Sequence, residues 1–579
     1  VKLVFVVCFA LLGWAGLDAG ELSRRERLSS ERVLAGGPPR YDLDFLLADL
    51  IPKPGRRFTE FSGDLSGRYL EALARTGAIE LARPLEAAIF GLQRPDGGFA
   101  NPLSSGSGVE DDDMARVWGH GRLLTGLLAA YEEGGDAKAL AAARGLGDFL
   151  VRVAPRFQDE GVVAEFSSGK LAHGYICWTQ NLEGLAALYQ ATEEPRYLEL
   201  AQAVAERVRR HPNQHSHGWL SSLRGLVALA EVSGDARILQ QAETAWQELV
   251  DSGNVLPTGT IPEYFLPGMA RDEGCSQADW VRLNLELWRR TENARYLEAA
   301  ERAVFNAFFL NQFPSGDFGH MELVDDGLGY GTSSAWWCCT LHGLRAFPAI
   351  RQAAFREAGG ALRYELPVDG SIRARGLQLR ASAELAQLAA VRFEVVGAPS
   401  EAVRLEIRRP AWSGELVSDL AGETSQDGLR FERVWRTGEA FAVQYDPLER
   451  RDGGRLFLGP WLLAVSEAAS PRFFDEPHQN NRVDWDSLAA GDRPSRRTVE
   501  YIPAGYPGQR QTVVLRPPAE RIEGADGLRW QWKFADNAGW LERKADRIAE
   551  QSRGRIAPFL AGILVAAIAF GFWSRRRRR

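Results

Sequence analysis

Two short stretches, "RDEGCSQADW" and, some sixty residues further on, "SSAWWCCTLH", hold Cys275, Cys338 and Cys339 of a chain with only 5 cysteines. Glu273 stands two positions before Cys275. Extended backbone turns side chains two apart to one side, whereas a helix splays them, so this spacing predicts a metal clamp at a loop. The segment "TLHGLRAF" after the cysteine pair reads as a helix start, where the positive dipole end and free amides favour thiolate. Pro348 should limit or kink that helix. Three thiolates and a carboxylate form a tetrahedral donor set, and soft sulfur argues for zinc, or iron, over calcium or magnesium.

On the residues alone the metal's role stays open. Adjacent cysteines make a strained disulfide, and a bridge from Cys275 to either of them leaves an odd thiol alongside Cys177. Structural zinc usually draws on paired C-x-x-C loops, and a water-activating zinc more often shows histidines and an open position. The remaining reading makes a zinc-bound cysteine the nucleophile. A free thiol with a pKa of ~8.5 is a few per cent thiolate at neutral pH, and a metal would deprotonate and aim it. Structural and catalytic roles weigh equally here. Cys177, in "HGYICWTQNLEGL", is read as a buried free thiol on an apolar helix face.

The elements that must carry these residues show a repeat. "GGDAKALAAA" around Asp136, "EEPRYLELA" around Glu194, "SGDARILQQA" around Asp235 and "TENARYLEAA" around Asn293 each sit between apolar-periodic stretches, at intervals of 58, 41 and 58 residues. Each reads as helix, short polar turn, helix. Such an array predicts a toroid of about six antiparallel hairpins, an (α/α)6 barrel, over residues 40–359. After "REAGG" the period changes to two. "ALRYELPVDGSIRARGLQLRAS", "AVRLEIRRPAWSGELV", "LRFERVWRTGEAFAVQY" and "RLFLGPWLLAVSE" predict an antiparallel β-sandwich region over 360–535, with weaker patterning beyond Asp475. Residues 536–555 read as a connector.

Composition frames this organisation. At 579 residues the chain exceeds one ordinary core. A net charge of -7 with 25% charged residues offers no basic surface for nucleic acid. The 17 Trp are numerous, and aromatic faces are common in sugar-binding clefts. Residues 1–19, with an apolar run from Leu3 to Leu17 and a small-residue exit, read as a secretory signal peptide that would remove Cys8. Residues 556–573 form an uncharged stretch of 18 residues. As a helix it would span about 27 Å, close to a ~30 Å hydrocarbon core. The arginine-rich tail 574–579 would stay cytoplasmic. The expectation is an exported, extracytoplasmic protein held at the membrane by its C-terminal helix or by a cleaved sorting signal.

Helical hairpins followed by β segments, E-x-C, and a C-C pair preceded by aromatic residues together resemble glycoside hydrolase family 127 and its relatives, the zinc-cysteine β-L-arabinofuranosidase group. The similarity runs from about Ser62 to Glu467 and includes "FSGDLSGRYLEAL", "WGHGRLLTGL", "RLEIRRPAW" and "LFLGPWLLAVSE". It implies that Glu273, Cys275, Cys338 and Cys339 hold zinc, that Cys338 is the nucleophile, and that Glu263 in "PTGTIPEYF" is the general acid/base of a retaining glycosidase. Sugar-contacting residues implied near matching segments are His120, Gln180, Asn181, His217 and His342. After the C-C pair this chain has Thr340, Leu341 and His342 where the best-known members have small residues, proline and asparagine. The implied partner is a carbohydrate, with L-arabinofuranose as the family default. Two other readings stand beside it: a non-catalytic cell-surface carbohydrate-binding protein with structural zinc, and a lyase or epimerase, since α/α toroids also host uronate chemistry.

Overall fold

In the computed structural model each of the four repeated motifs is a two-residue turn between antiparallel helices; the structure describes residues 20–536 apart from 57, 107, 169–172, 267, 270, 325–326, 329–333, 476, 507–508 and 521–528. Gly135, Glu193, Gly234 and Glu292 adopt left-handed backbone with φ of 66°, 55°, 68° and 55°, and each closes the helix before it. The very next residue opens the following helix. Asp136, Asp235 and Asn293 accept the N–H of the residue two further on, and Glu194 is followed by Pro195 in the first helical position. A left-handed stop joined to a polar N-cap or an N1 proline is what reverses the chain in two residues.

The principal helices are α1 Glu21–Ala35, α2 Asp64–Arg75, α3 Arg83–Leu92, α4 Asp111–Gly134, α5 Ala137–Phe157 and α6 Asn181–Thr192. There follow α7 Pro195–Ala205, α8 Ser216–Ser233, α9 Ala236–Asp251, α10 Gly274–Thr291, α11 Ala294–Ala303 and α12 Trp337–Gln352. Helices α2, α4, α6, α8, α10 and α12 each pack on the next, and α12 packs back on α2, so these six close a ring. Helices α3, α5, α7, α9 and α11 lie outside, each against its own inner partner, while α1 covers α12. Burial separates the two layers. Inner α8 buries every residue from Ser216 to Val227, whereas outer α9 buries only Ala242, Trp246 and Leu249, the narrow stripe of a helix with one face in the core.

Inside the ring all six inner helices contribute charge. Glu71, Glu183 and Asp279 alternate with Arg122, Arg224, Arg282 and Arg345. Arg224 reaches Glu183 at 2.6 Å and Asp279 at 3.0 Å, Arg282 lies 3.8 Å from Glu71, and Arg345 pairs with Glu71 and, at 3.3 Å, with Asp279. Buried charges survive only when paired and hydrogen-bonded. This lattice fills the middle of the ring.

Two five-stranded sheets follow. One is ordered 423–425, 428–434, 402–408, 361–364, 355–358, and the other 417–418, 440–444, 390–397, 377–384, 370–374. Leu377–Glu384 and Ala402–Arg408 alternate buried and open residues, as one-face burial requires. The inner faces meet through Tyr364 against Phe393 and Phe431 against Phe441, with ring centroids 4.9 Å and 5.3 Å apart. Further short sheets include Arg482–Ala490, Arg497–Ile502 and Gln511–Leu515, and Trp530–Gln531 pairs with Gly327–Leu328, a segment shortly before the cysteine pair. The first helix ties the two halves: Ser23 N–H donates to Asp369 at 2.7 Å, Arg24 pairs with Glu384, and Arg32 pairs with Asp317 at 2.7 Å. Among the described residues no helix is long and apolar enough to cross a membrane. The segments read as signal peptide, transmembrane helix and arginine tail lie outside the described residues, as does nearly all of the connector.

Candidate active site and metal centre

Two helix N-termini converge where the three cysteines meet. Only Glu273 of the E-x-C motif has the extended backbone that the spacing suggested (φ −142°, ψ 131°); Cys275 is already the second residue of α10. Helix α12 begins at Trp337, so Cys338 and Cys339 sit in its first turn rather than ahead of it, and the helix passes Pro348 to end at Gln352. Neither Glu273 nor Trp336 caps its helix with a side-chain hydrogen bond. The unsatisfied amides and positive ends of both helices therefore face the sulfurs, the setting that favours thiolate. Gly274 explains the residue between glutamate and cysteine: a Cβ there would lie 3.0 Å from the Cys339 Cβ and 2.7 Å from Asn311 Oδ1.

The Sγ atoms of Cys275 and Cys338 lie 3.7 Å apart, Cys275 and Cys339 3.8 Å, and Cys338 and Cys339 4.0 Å. A disulfide needs about 2.05 Å. Tetrahedral zinc with Zn–S bonds of about 2.3 Å would set its sulfurs roughly 3.8 Å apart. One donor atom from each of Glu273, Cys275, Cys338 and Cys339 lies within 4.8 Å of all the others. Donor type and spacing thus fit a zinc ion. A second cluster within the same limit, His217, Cys275 and His342, already holds a cation: Arg68 Nη1 is 2.9 Å from His342 Nδ1 and 3.7 Å from Cys275 Sγ, and Nη2 is 3.0 Å from His217 Nε2.

A cavity of about 450 Å³ opens over this centre. Its wall includes Glu263, Glu273 and Cys338, while Cys275 and Cys339 stay behind it. Cys338 is 9% exposed and the other two cysteines are 0%. Burial works against a charge on Cys338, yet hydrogen bonds from Cys275 and Cys339 and the Arg68 guanidinium pull its pKa below the ordinary thiol value; burial drives Cys275 and Cys339 upward. Glu263 is no solvated loop carboxylate. It is 5% exposed, its backbone N–H donates to Arg271 O, its backbone O accepts from Ser216, and its carboxylate accepts from Arg271 Nε. His215 Nε2 lies 2.9 Å from Glu273 Oε2, and that carboxylate outweighs burial and raises the His215 pKa.

Of the residues implied as sugar contacts only His217 reaches the cavity wall. Burial holds its pKa well below the histidine range; as a neutral ring its Nδ1–H donates to Asp279 at 2.6 Å and its Nε2 accepts from Arg68. His342 is 0% exposed and bridges Asp279, 2.8 Å away, and Arg68. His120 accepts the Phe99 N–H at 3.1 Å inside the helical layer, Gln180 donates to Trp118 O at 3.0 Å, and Asn181 donates to Trp178 O at 2.9 Å. None of these four lines the cavity. Residues that sequence reasoning passed over do: Asp64 and Arg68 of α2, Trp118 of α4, His215 beside α8, Arg271, His320 and Trp336. Asp64 accepts from Arg68 Nε at 2.8 Å and from the Trp118 indole at 2.9 Å, which fixes one wall. His217 and Asp279 then link the cavity to the charged lattice within the ring. Cys177 is buried, and burial raises its pKa.

A search of curated protein sequences returns no match. Among solved structures the chain is similar to the GH127 beta-L-arabinofuranosidase from Geobacillus stearothermophilus T6, at 16% identity and a TM-score of 0.66, covering 90% of this chain and 99% of that one. It is similar to a second GH127 beta-arabinofuranosidase at 16% identity and a TM-score of 0.67, covering 90% and 96%. A structure described as a glycoside hydrolase matches at 15% identity and a TM-score of 0.64, again covering 90% and 96%. At these identities the likeness is one of fold. Residues 57–352, more than half of the 579, match the family model described as beta-L-arabinofuranosidase, GH127 catalytic domain, and the protein therefore belongs to glycoside hydrolase family 127 and is a glycosidase.

Proposed function

We propose that the protein is a retaining glycosidase in which Cys338 is the nucleophile and Glu263 the general acid/base, with zinc held by Glu273, Cys275, Cys338 and Cys339. One observation carries this reading: of three sulfurs grouped at zinc spacing, only Cys338 opens into the cavity, and a buried carboxyl shares that cavity. Zinc, when bound, supplies the positive charge that keeps the cysteines deprotonated. Cys338 Sγ attacks the anomeric carbon while Glu263 gives a proton to the departing glycosidic oxygen. The sugar is then joined to Cys338 by a thioglycosidic bond. Glu263, now a carboxylate, takes a proton from water, whose oxygen displaces the sulfur, and two inversions retain configuration. Arg68, anchored by Asp64 and both buried histidines, fixes the cavity floor behind the nucleophile. The sugar proposed is L-arabinofuranose, on polysaccharide or glycoconjugate side chains, as the family model's description suggests.

Intact-protein mass spectrometry on the zinc-loaded protein, under reducing conditions and after exposure to a panel of aryl furanosides and pyranosides, tests this. The expected result is an added glycosyl unit that maps to Cys338, together with loss of turnover in Cys338→Ser. A fully active Cys338→Ser enzyme would falsify the nucleophile assignment.

A further inference from the structure

The charge that the cavity offers to an incoming ligand is concentrated in one side chain. Arg271 is 45% exposed, against 7% for Glu263, 2% for Arg68, 8% for Asp64, 6% for Glu273, and 12% each for His215 and His320. Its Nε–H is anchored on Glu263, and among the described residues neither of its Nη groups has a partner. A guanidinium held at Nε presents its remaining N–H groups as a rigid fork, the geometry that matches a carboxylate. The anchor also gives the fork a direction. If Glu263 faces the glycosidic oxygen, as the proposed function requires, the open guanidinium beside it lies on the leaving-group side, away from the carbon that Cys338 attacks.

A carboxylate on the leaving group would meet the open Nη edge of this fork while Glu263 stays anchored on its Nε. We infer that the leaving group carries a carboxylate, in the manner of a uronic acid, and that Arg271 is the residue that reads it. This rests on Glu263 as acid/base.

The test compares 3-carboxyphenyl and 3-carbamoylphenyl β-L-arabinofuranosides as substrates of the zinc-loaded full chain and of Arg271→Gln and Arg271→Lys. One charge-assisted hydrogen-bonded pair should favour the carboxylate by about tenfold or more in kcat/KM. Arg271→Gln should bring the ratio near one, Arg271→Lys should keep part of it, and added salt should reduce it in the wild type. A residue that only positions Glu263 would slow both substrates alike. A wild-type ratio near one, or an unchanged ratio in Arg271→Gln, overturns the inference. If neither substrate is hydrolysed, the sugar assignment has failed, and calorimetric binding of D-galacturonate against D-galactose decides this point separately. Tighter galacturonate binding that disappears in Arg271→Gln supports it, and equal binding of both by the wild type overturns it.

Discussion

At the scale of single residues, the division of labour between Glu263 and Cys338 makes an asymmetric prediction. Replacing Glu263 with Ala removes the proton donor of the first step and the base of the second, at a cost of about 10² to 10⁴ in turnover. An aryl glycoside with a good leaving group needs little help in the first step, so the glycosyl enzyme should accumulate on Cys338. Azide, which needs no base, should then restore turnover and give a glycosyl azide. Absence of azide rescue alongside a normal fold would remove Glu263 from the role. The types of the four proposed metal donors were legible in the sequence because three cysteines and a glutamate in two short motifs have few other uses. Their neighbours were not. Asp64, Arg68, Trp118 and His320 are common residue types on separate elements, and only closure of the ring makes them neighbours. His215 and His217 stand in one short motif, and the sequence gives no reason to expect that both line the cavity. Arg271 was visible two positions from Glu273, but nothing along the chain says that its partner is Glu263.

The helices were legible where a turn signal stood between two periodic stretches, which is why Asp136, Glu194, Asp235 and Asn293 each open a helix. Gly234 allows a clean test of that signal. Its φ is 68° and a Cβ there would meet nothing within 4 Å, so Gly234→Ala should cost about 1 kcal/mol of stability from backbone conformation alone, measured by denaturant unfolding. The strand Ala390–Gly397 lies within the expected β region but was not singled out there, and the segment just before it holds the short helix Leu385–Leu388. Arg482–Ala490 was hidden by a register shift between Asp484 and Ala489. Helix α2 shows a cap of another kind. Its N-cap residue, Gly63, offers no side chain, and the buried Asp49 accepts the Leu65 N–H at 2.7 Å and the Ser66 N–H at 3.4 Å instead. Burial, with the Asp64 charge adding to it, pushes the Asp49 pKa up to about 7 despite those hydrogen bonds. An unfolded aspartate titrates near 3.9, so between roughly pH 4 and 7 the folded state binds the extra proton. The Asp49 contribution is full below that window and declines as pH rises through 7, by at most about 1.4 kcal/mol per pH unit. Asp49→Asn cannot ionise. Its melting temperature should gain on that of the wild type from pH 5 to pH 8, and parallel curves would refute the assignment.

At the scale of the whole molecule, the proposed metal joins α10 to α12, the last two staves of the closed ring. Removing it should therefore loosen the closure rather than only silence chemistry. Chelation under reducing conditions should lower the melting temperature by several degrees, with recovery on adding zinc and none on adding calcium; an unchanged melting temperature would show that the centre bears no load. The hairpins, the later strands and the donor set could be anticipated from pattern. The way α1 returns to cover α12 and grip Asp317, Asp369 and Glu384 could not, because those contacts join residues some three hundred positions apart. The seam between α12 and α2 also fixes an order in time. During synthesis Asp64, Trp118, His215 and Glu263 all leave the ribosome before Cys338, and the circle has no seam to seal until α12 emerges. The proposed metal can therefore find all four donors only once α12 has emerged, and in a chain starved of zinc Cys338 alone of the three thiols would still open into the cavity.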